Sequence, residues 1–230
     1  MDLEHILGTV MILWVVISCI GDKRKCRTFD NPETEPVKSP PPSDHRTRRA
    51  GMLARKRIEL MKERKLGHLL MTDFRFSDRI TQEDMASPES IREKLNLMLH
   101  EMMRHLKLPP VYTVEVIPDE DRSIAPDRTA ECSYRDRQIR FFLRRVLTPE
   151  QLTTLLCHEC AHYFCLYYRM YEYKLTMLNE HYTDVTACLM GFSKYMLIPG
   201  SLNYLSPAEM KAVRWTLLDE RKAQSGSDAA

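Results

Sequence analysis

The chain has 230 residues, 43% of them hydrophobic and 29% charged, enough for one globular domain with a sizeable core plus appendages. A formal net charge of +2 is too small to call for a nucleic-acid partner, and none is expected. Seven cysteines, three of them crowded between Cys157 and Cys165, do not fit a small disulfide-stapled scaffold; they fit reduced thiols in a cytoplasmic compartment.

Residues 6–20 (ILGTVMILWVVISCI) form a largely apolar run. It is shorter than the roughly 17–25 residues of a usual spanning helix, although interfacial flanks can extend it. MDLEH before it lacks the basic residues of a secretory signal, whereas DKRKCR after it is strongly basic. By the positive-inside rule, residues 1–21 are then a single-pass membrane anchor with the remainder of the chain cytoplasmic. The alternative is an exported lipoprotein processed at Cys19 of VVISC. Residues 22–50 are proline-rich and poor in apolar side chains, the composition of a disordered linker. Residues 51–86 read as a basic helical segment, and nine Lys or Arg fall between Arg46 and Lys65 against only Glu59 and Glu63. Such a helix either rests on anionic lipid or presents a solvated basic face beside a small apolar stripe.

The compact domain is expected over residues 87–222, with 223–230 a disordered tail. Ser87-Pro88 is an N-cap followed by proline in the first turn, and Ile91, Leu95, Met98, Met102 and Leu106 then repeat as one apolar stripe. VYTVEVI (111–117) and RQIRFFL (137–143) are strand candidates separated by a polar, loop-like stretch. Thr148-Pro149-Glu150-Gln151 is a capping box that starts a helix expected to run to about Tyr171. Further helices are expected from Thr176 to Leu197 and, after the Ser206-Pro207 cap, to about Arg221. The fold class is α+β, a small sheet combined with several helices.

The chemistry lies in LLCHECAHYF, residues 155–164. On a helix His158 and His162 share a face and can offer ring nitrogens to one ion, with Glu159 beside them to act as general base on water. Eighteen residues past His162, NEHYTD places Glu180 and Asp184 four apart on another predicted helix. One carboxylate can complete a His₂Glu site and leave a fourth position open, while the other accepts the free ring N–H of a ligating histidine. Either assignment of the two suits the spacing.

HECAH followed by NEHYTD resembles the HExxH…NExx(S/T)D pattern of gluzincin metallopeptidases, as in thermolysin-like enzymes; HtpX-like and prenyl-protein endopeptidases carry a related HExxH…ExxxD. The resemblance covers about residues 148–200. It implies a zincin-like fold with an active-site helix and a glutamate helix, and a Zn²⁺ held by His158, His162 and Glu180. It implies further that Glu159 is the catalytic base, that Asp184 supports the first histidine, and that a peptide or protein is the substrate. In such folds an edge strand beside the cleft binds extended substrate backbone, and RQIRFFL is placed in the sequence to be that strand.

Competing readings attach to the same residues. Cys157-x-x-Cys160 has the spacing of a structural zinc or redox pair, but it lies two turns inside a capped helix with no second Cys pair. His181 sits about 100° around the helix from Glu180 and is a poorer ligand. Tyr163, Tyr168, Tyr171 and Tyr182 lie near in sequence, and none is singled out as an oxyanion stabiliser. The alternative function is a non-catalytic regulatory or interaction protein that zinc merely stabilises. Nothing in the sequence assigns an oligomeric state.

Overall fold

A computed structural model describes residues 44–118, 129–143, 147–171, 176–198 and 200–227. The expected anchor and nearly all of the expected linker lie outside these residues. Among the described residues no helix is long and apolar enough to cross a membrane.

The chain enters through α1 (His45–Glu63), capped by Asp44, whose carboxylate accepts the Thr47 N–H at 2.8 Å. This helix begins inside the stretch expected to be linker. Ala50, Ala54, Ile58 and Met61, spaced at one helical turn, are buried in the main hydrophobic core. The apolar stripe expected to rest on lipid or lie beside a solvated face is therefore spent inside the protein. The core also begins well before residue 87, because α1 packs lengthwise on the last helix. A short α2 (Gly67–Leu70) and an extended passage, with Phe74 and Phe76 buried, lead to α3 (Pro88–His105). Ser87 caps α3 by accepting the Ser90 N–H, and all five expected stripe residues of that helix are buried.

Three strands follow: β1 (Thr113–Pro118), β2 (Ala130–Ser133) and β3 (Gln138–Leu143), in the order β1-β3-β2. β1 runs parallel to β3, with Thr113 opposite Gln138, and β2 runs antiparallel to it, with Ala130 opposite Phe141. RQIRFFL is thus the central strand rather than the edge strand expected. Its alternate residues Ile139 and Phe141 are buried, and both of its backbone edges are paired. The edge next to the site belongs to β2, which packs against α4 (Pro149–Tyr167). β2 was read as loop because four half-buried residues carry no strong alternation.

The capping box of α4 is formed in full: Thr148 N–H donates to Gln151 Oε1 at 3.1 Å and Gln151 N–H to Thr148 Oγ1 at 3.2 Å. Most of the helix is buried, as suits an element enclosed on several sides. It stops four residues before the expected end. Arg169 adopts φ 52°, and the Met170 N–H turns back to the Cys165 carbonyl at 2.8 Å. α5 (Thr176–Ala187) packs against α4 and passes into one π turn at 188–192 before the short α6 (Ser193–Met196). The break from the single expected helix occurs at Gly191, φ 95°, where a Cβ would lie 2.8 Å from the Thr72 carbonyl oxygen. Only glycine lets this turn lie against residues 72–74, where the Phe74 N–H donates to Gly191 O. α7 (Pro207–Ser227) closes the fold and runs six residues beyond the expected end. The described fold is α+β, with the sheet at one end of a mainly helical body.

Candidate metal centre

α4 and α5 pack side by side and turn their polar residues toward each other. From α4 come His158 and His162, one turn apart; from α5 comes Glu180. Their Nε2, Nε2 and Oε2 atoms make a triangle with edges of 3.0, 3.1 and 3.1 Å. Among the described residues this is the one His/Cys/Asp/Glu group compact enough to hold a metal ion.

The outer ring nitrogens are already engaged. His158 Nδ1 lies 2.8 Å from Asp184 Oδ1, and the other Asp184 oxygen accepts the Leu205 N–H at 2.8 Å. Asp184 is fully buried with both oxygens used, so it stands behind His158 while Glu180 supplies the third atom of the triangle. His162 Nδ1 bonds the Tyr171 hydroxyl, with the Thr183 hydroxyl 3.4 Å away. The Tyr204 ring, tilted 30° at 5.5 Å, covers His158.

Donor chemistry and spacing fit a metal. Tetrahedral ligands at about 2.0–2.1 Å from zinc stand roughly 3.3 Å apart, so a few tenths of an ångström of expansion suffices. Asp184 and the Tyr171 hydroxyl each offer an acceptor oxygen to an Nδ1, so both rings can carry their proton on Nδ1 and leave the Nε2 lone pairs for a metal. Two nitrogens and a carboxylate oxygen suit zinc among the divalent metals, though imidazole–carboxylate sets also bind others.

The cluster is electrostatically polarised. Burial disfavours an imidazolium at His158, but hydrogen bonds donated to Asp184 and Glu180 outweigh it and hold the pKa well above the usual histidine value. Burial likewise pushes the Glu180 carboxyl up, and the charge of His162 with hydrogen bonds from both histidines reverses this, leaving it well below the usual range. Glu159, buried at 6% exposure, is raised by desolvation against the partial offset of the two histidines. It sits next to the cluster on the β2 side, where Glu131 adds to the rise of its carboxyl and where its own charge raises the Cys132 thiol.

The other candidates fall elsewhere. Cys157 and Cys160 are free, fully buried thiols outside the metal-capable group. His181 is half-buried and outside it too, its pKa lowered by burial and then by Arg49 of α1. Tyr163 donates to the Pro109 carbonyl and Tyr168 to that of Leu106, both away from the triangle. Tyr182 packs under the Arg57 guanidinium, 4.4 Å from its ring centre. The contact sequence reasoning missed is Tyr171 on His162. No spacing rule finds it, because it depends on where α4 stops.

No family model, curated protein or solved structure matches this chain.

Proposed function

We propose that the chain is a zinc-dependent metallopeptidase of gluzincin type, with a zincin-like catalytic domain tethered to a membrane through residues 1–21 and facing the cytoplasm. The observation that carries the reading is the convergence of His158 Nε2, His162 Nε2 and Glu180 Oε2, with a buried glutamate at the next position of the same helix. A purely structural zinc site is normally closed by four protein ligands, whereas three ligands leave a position for water or substrate.

When bound, zinc supplies Lewis acidity toward water and toward the scissile carbonyl. The chain does the rest. His158, His162 and Glu180 hold the ion, and Asp184 keeps His158 in the tautomer that presents Nε2. Glu159 accepts a proton from the attacking water and returns it to the leaving amine. Burial raises its carboxyl above the usual glutamate value, the direction that favours proton pick-up by a general base. An extended substrate adds to the sheet at β2, which lies on the Glu159 side of α4.

The test is metal analysis of the purified chain, together with cleavage of a peptide library by wild type and Glu159→Gln. The variant is expected to keep its zinc and lose about 10²–10⁴ in rate, the usual contribution of a general base. Undiminished cleavage by the variant would refute the mechanism. Zinc binding without cleavage of any peptide would turn the reading to a zinc-stabilised interaction protein.

A further inference from the structure

We infer that Tyr171 is the positioning residue for His162: its hydroxyl accepts the Nδ1 proton and so directs the Nε2 lone pair to the metal. The inference rests on the zinc reading above and gives the second histidine the support that Asp184 gives the first.

The hydrogen-bond directions allow this one arrangement. A metal-binding Nε2 must be unprotonated, so His162 Nδ1 carries the proton and needs an acceptor. The Tyr171 oxygen is bonded to Nδ1, and its own proton has a separate destination, the His162 backbone carbonyl at 3.4 Å. Thr183 repeats the pattern more weakly. Its hydroxyl donates to the Asn179 carbonyl at 2.8 Å and keeps a lone pair toward Nδ1 at 3.4 Å. The Tyr171 ring lies nearly parallel to the imidazole, 25° at 6.0 Å, which restrains ring rotation as well as tautomer.

The position of Tyr171 is set from outside the site. Met170, its neighbour, is fixed by the turn that ends α4 and by Arg57 of α1, whose Nη1 donates to the Met170 carbonyl at 2.6 Å. Arg57 is 2% exposed and also covers the Tyr182 ring, so one buried guanidinium joins the Tyr171 segment to the helix that carries Glu180 and Asp184. The basic N-terminal helix thereby belongs to the architecture of the centre.

The test compares full-chain wild type with Tyr171→Phe, which keeps the ring and removes the hydroxyl. Zinc affinity is measured by competition with a chelator, and the His162 Nδ1 proton is followed by NMR of the zinc-loaded, ¹⁵N-histidine-labelled protein. The expected result is a 10–100-fold loss of zinc affinity, the usual effect of removing an outer partner. The protected Nδ1–H signal of His162 is lost with it, and the melting temperature of the zinc-free protein is unchanged. Thr183→Val should show a smaller loss. Unchanged zinc affinity in Tyr171→Phe overturns the assignment, as does weakened affinity with the protected signal retained. A wild-type chain that holds no zinc overturns the metal reading itself, so the two failures are distinguishable.

Discussion

On α4, the His158/His162 face is buried at His158 and half-buried at His162, while the Cys157/Cys160 face is fully buried; both are rich in groups that can bind metal, and they are separated by a fraction of a helical turn. They differ in what lies opposite. The histidines meet Glu180, Asp184 and Tyr171, and every ring nitrogen has a partner. The cysteines meet the hydrophobic core, and desolvation alone pushes the Cys160 thiol far up. Cys165 sharpens the contrast. It continues the histidine face seven residues after His158, yet its thiol reaches the Thr186 hydroxyl and no ion site. Burial makes a thiol inert unless something charged faces it, whereas histidines opposite a carboxylate form a group that could hold a metal ion.

The strongest attack on the histidine face short of removing a ligand is Asp184→Ala. It takes the acceptor from His158 Nδ1 and strands the buried Leu205 N–H. Zinc affinity should fall about 10–100-fold. The zinc-free protein should also lose about 1–3 kcal/mol for the orphaned donor, unlike Tyr171→Phe. Chelator competition and denaturant melts read the two effects separately. Full zinc affinity in this variant would remove Asp184 from the centre.

The thiol face should behave oppositely. Cys157→Ala with Cys160→Ala removes two buried sulfurs and should cost about 1 kcal/mol for each small cavity. Zinc stoichiometry and affinity should not change. Loss of bound zinc in the double variant would revive the Cys-x-x-Cys reading at the expense of the histidines.

How much of this was legible in the sequence divides along a physical line. The capping box at Thr148, the one-turn spacing of His158 and His162, and the pairing of Glu180 with Asp184 are local periodicities, and the fold places those side chains together. Which carboxylate faces the triangle depended on the Leu205 N–H, a contact across the fold. Sheet order is likewise a tertiary property, so the central position of β3 could not be read from RQIRFFL. The core role of α1 was hidden because arginines and lysines surround Ala50, Ala54, Ile58 and Met61 and disguise a regular apolar stripe. Tyr171 was out of reach because its place depends on a left-handed Arg169 and on Arg57, 113 residues before Met170.

The mildest test of the contrast uses pH and a thiol at the end of the same polar helix. Cys188 is fully buried beyond α5, and desolvation raises its pKa to about 12, against about 8.5 for an unfolded cysteine. Below the unfolded value the thiol is neutral in both states and contributes its full stability. As pH rises between the two values the unfolded chain loses the proton while the folded chain keeps it, so stability falls by about 1.4 kcal/mol per pH unit. Cys188→Ala removes this dependence. Its denaturant melts should start about 1 kcal/mol less stable than wild type at pH 8 because of the small cavity, and the difference should shift by about 2 kcal/mol by pH 10, leaving the variant the more stable chain. Measuring the difference between the chains cancels the titration of other groups. Parallel curves would mean that water reaches the Cys188 sulfur and that the thiols beyond the histidine face are not dry.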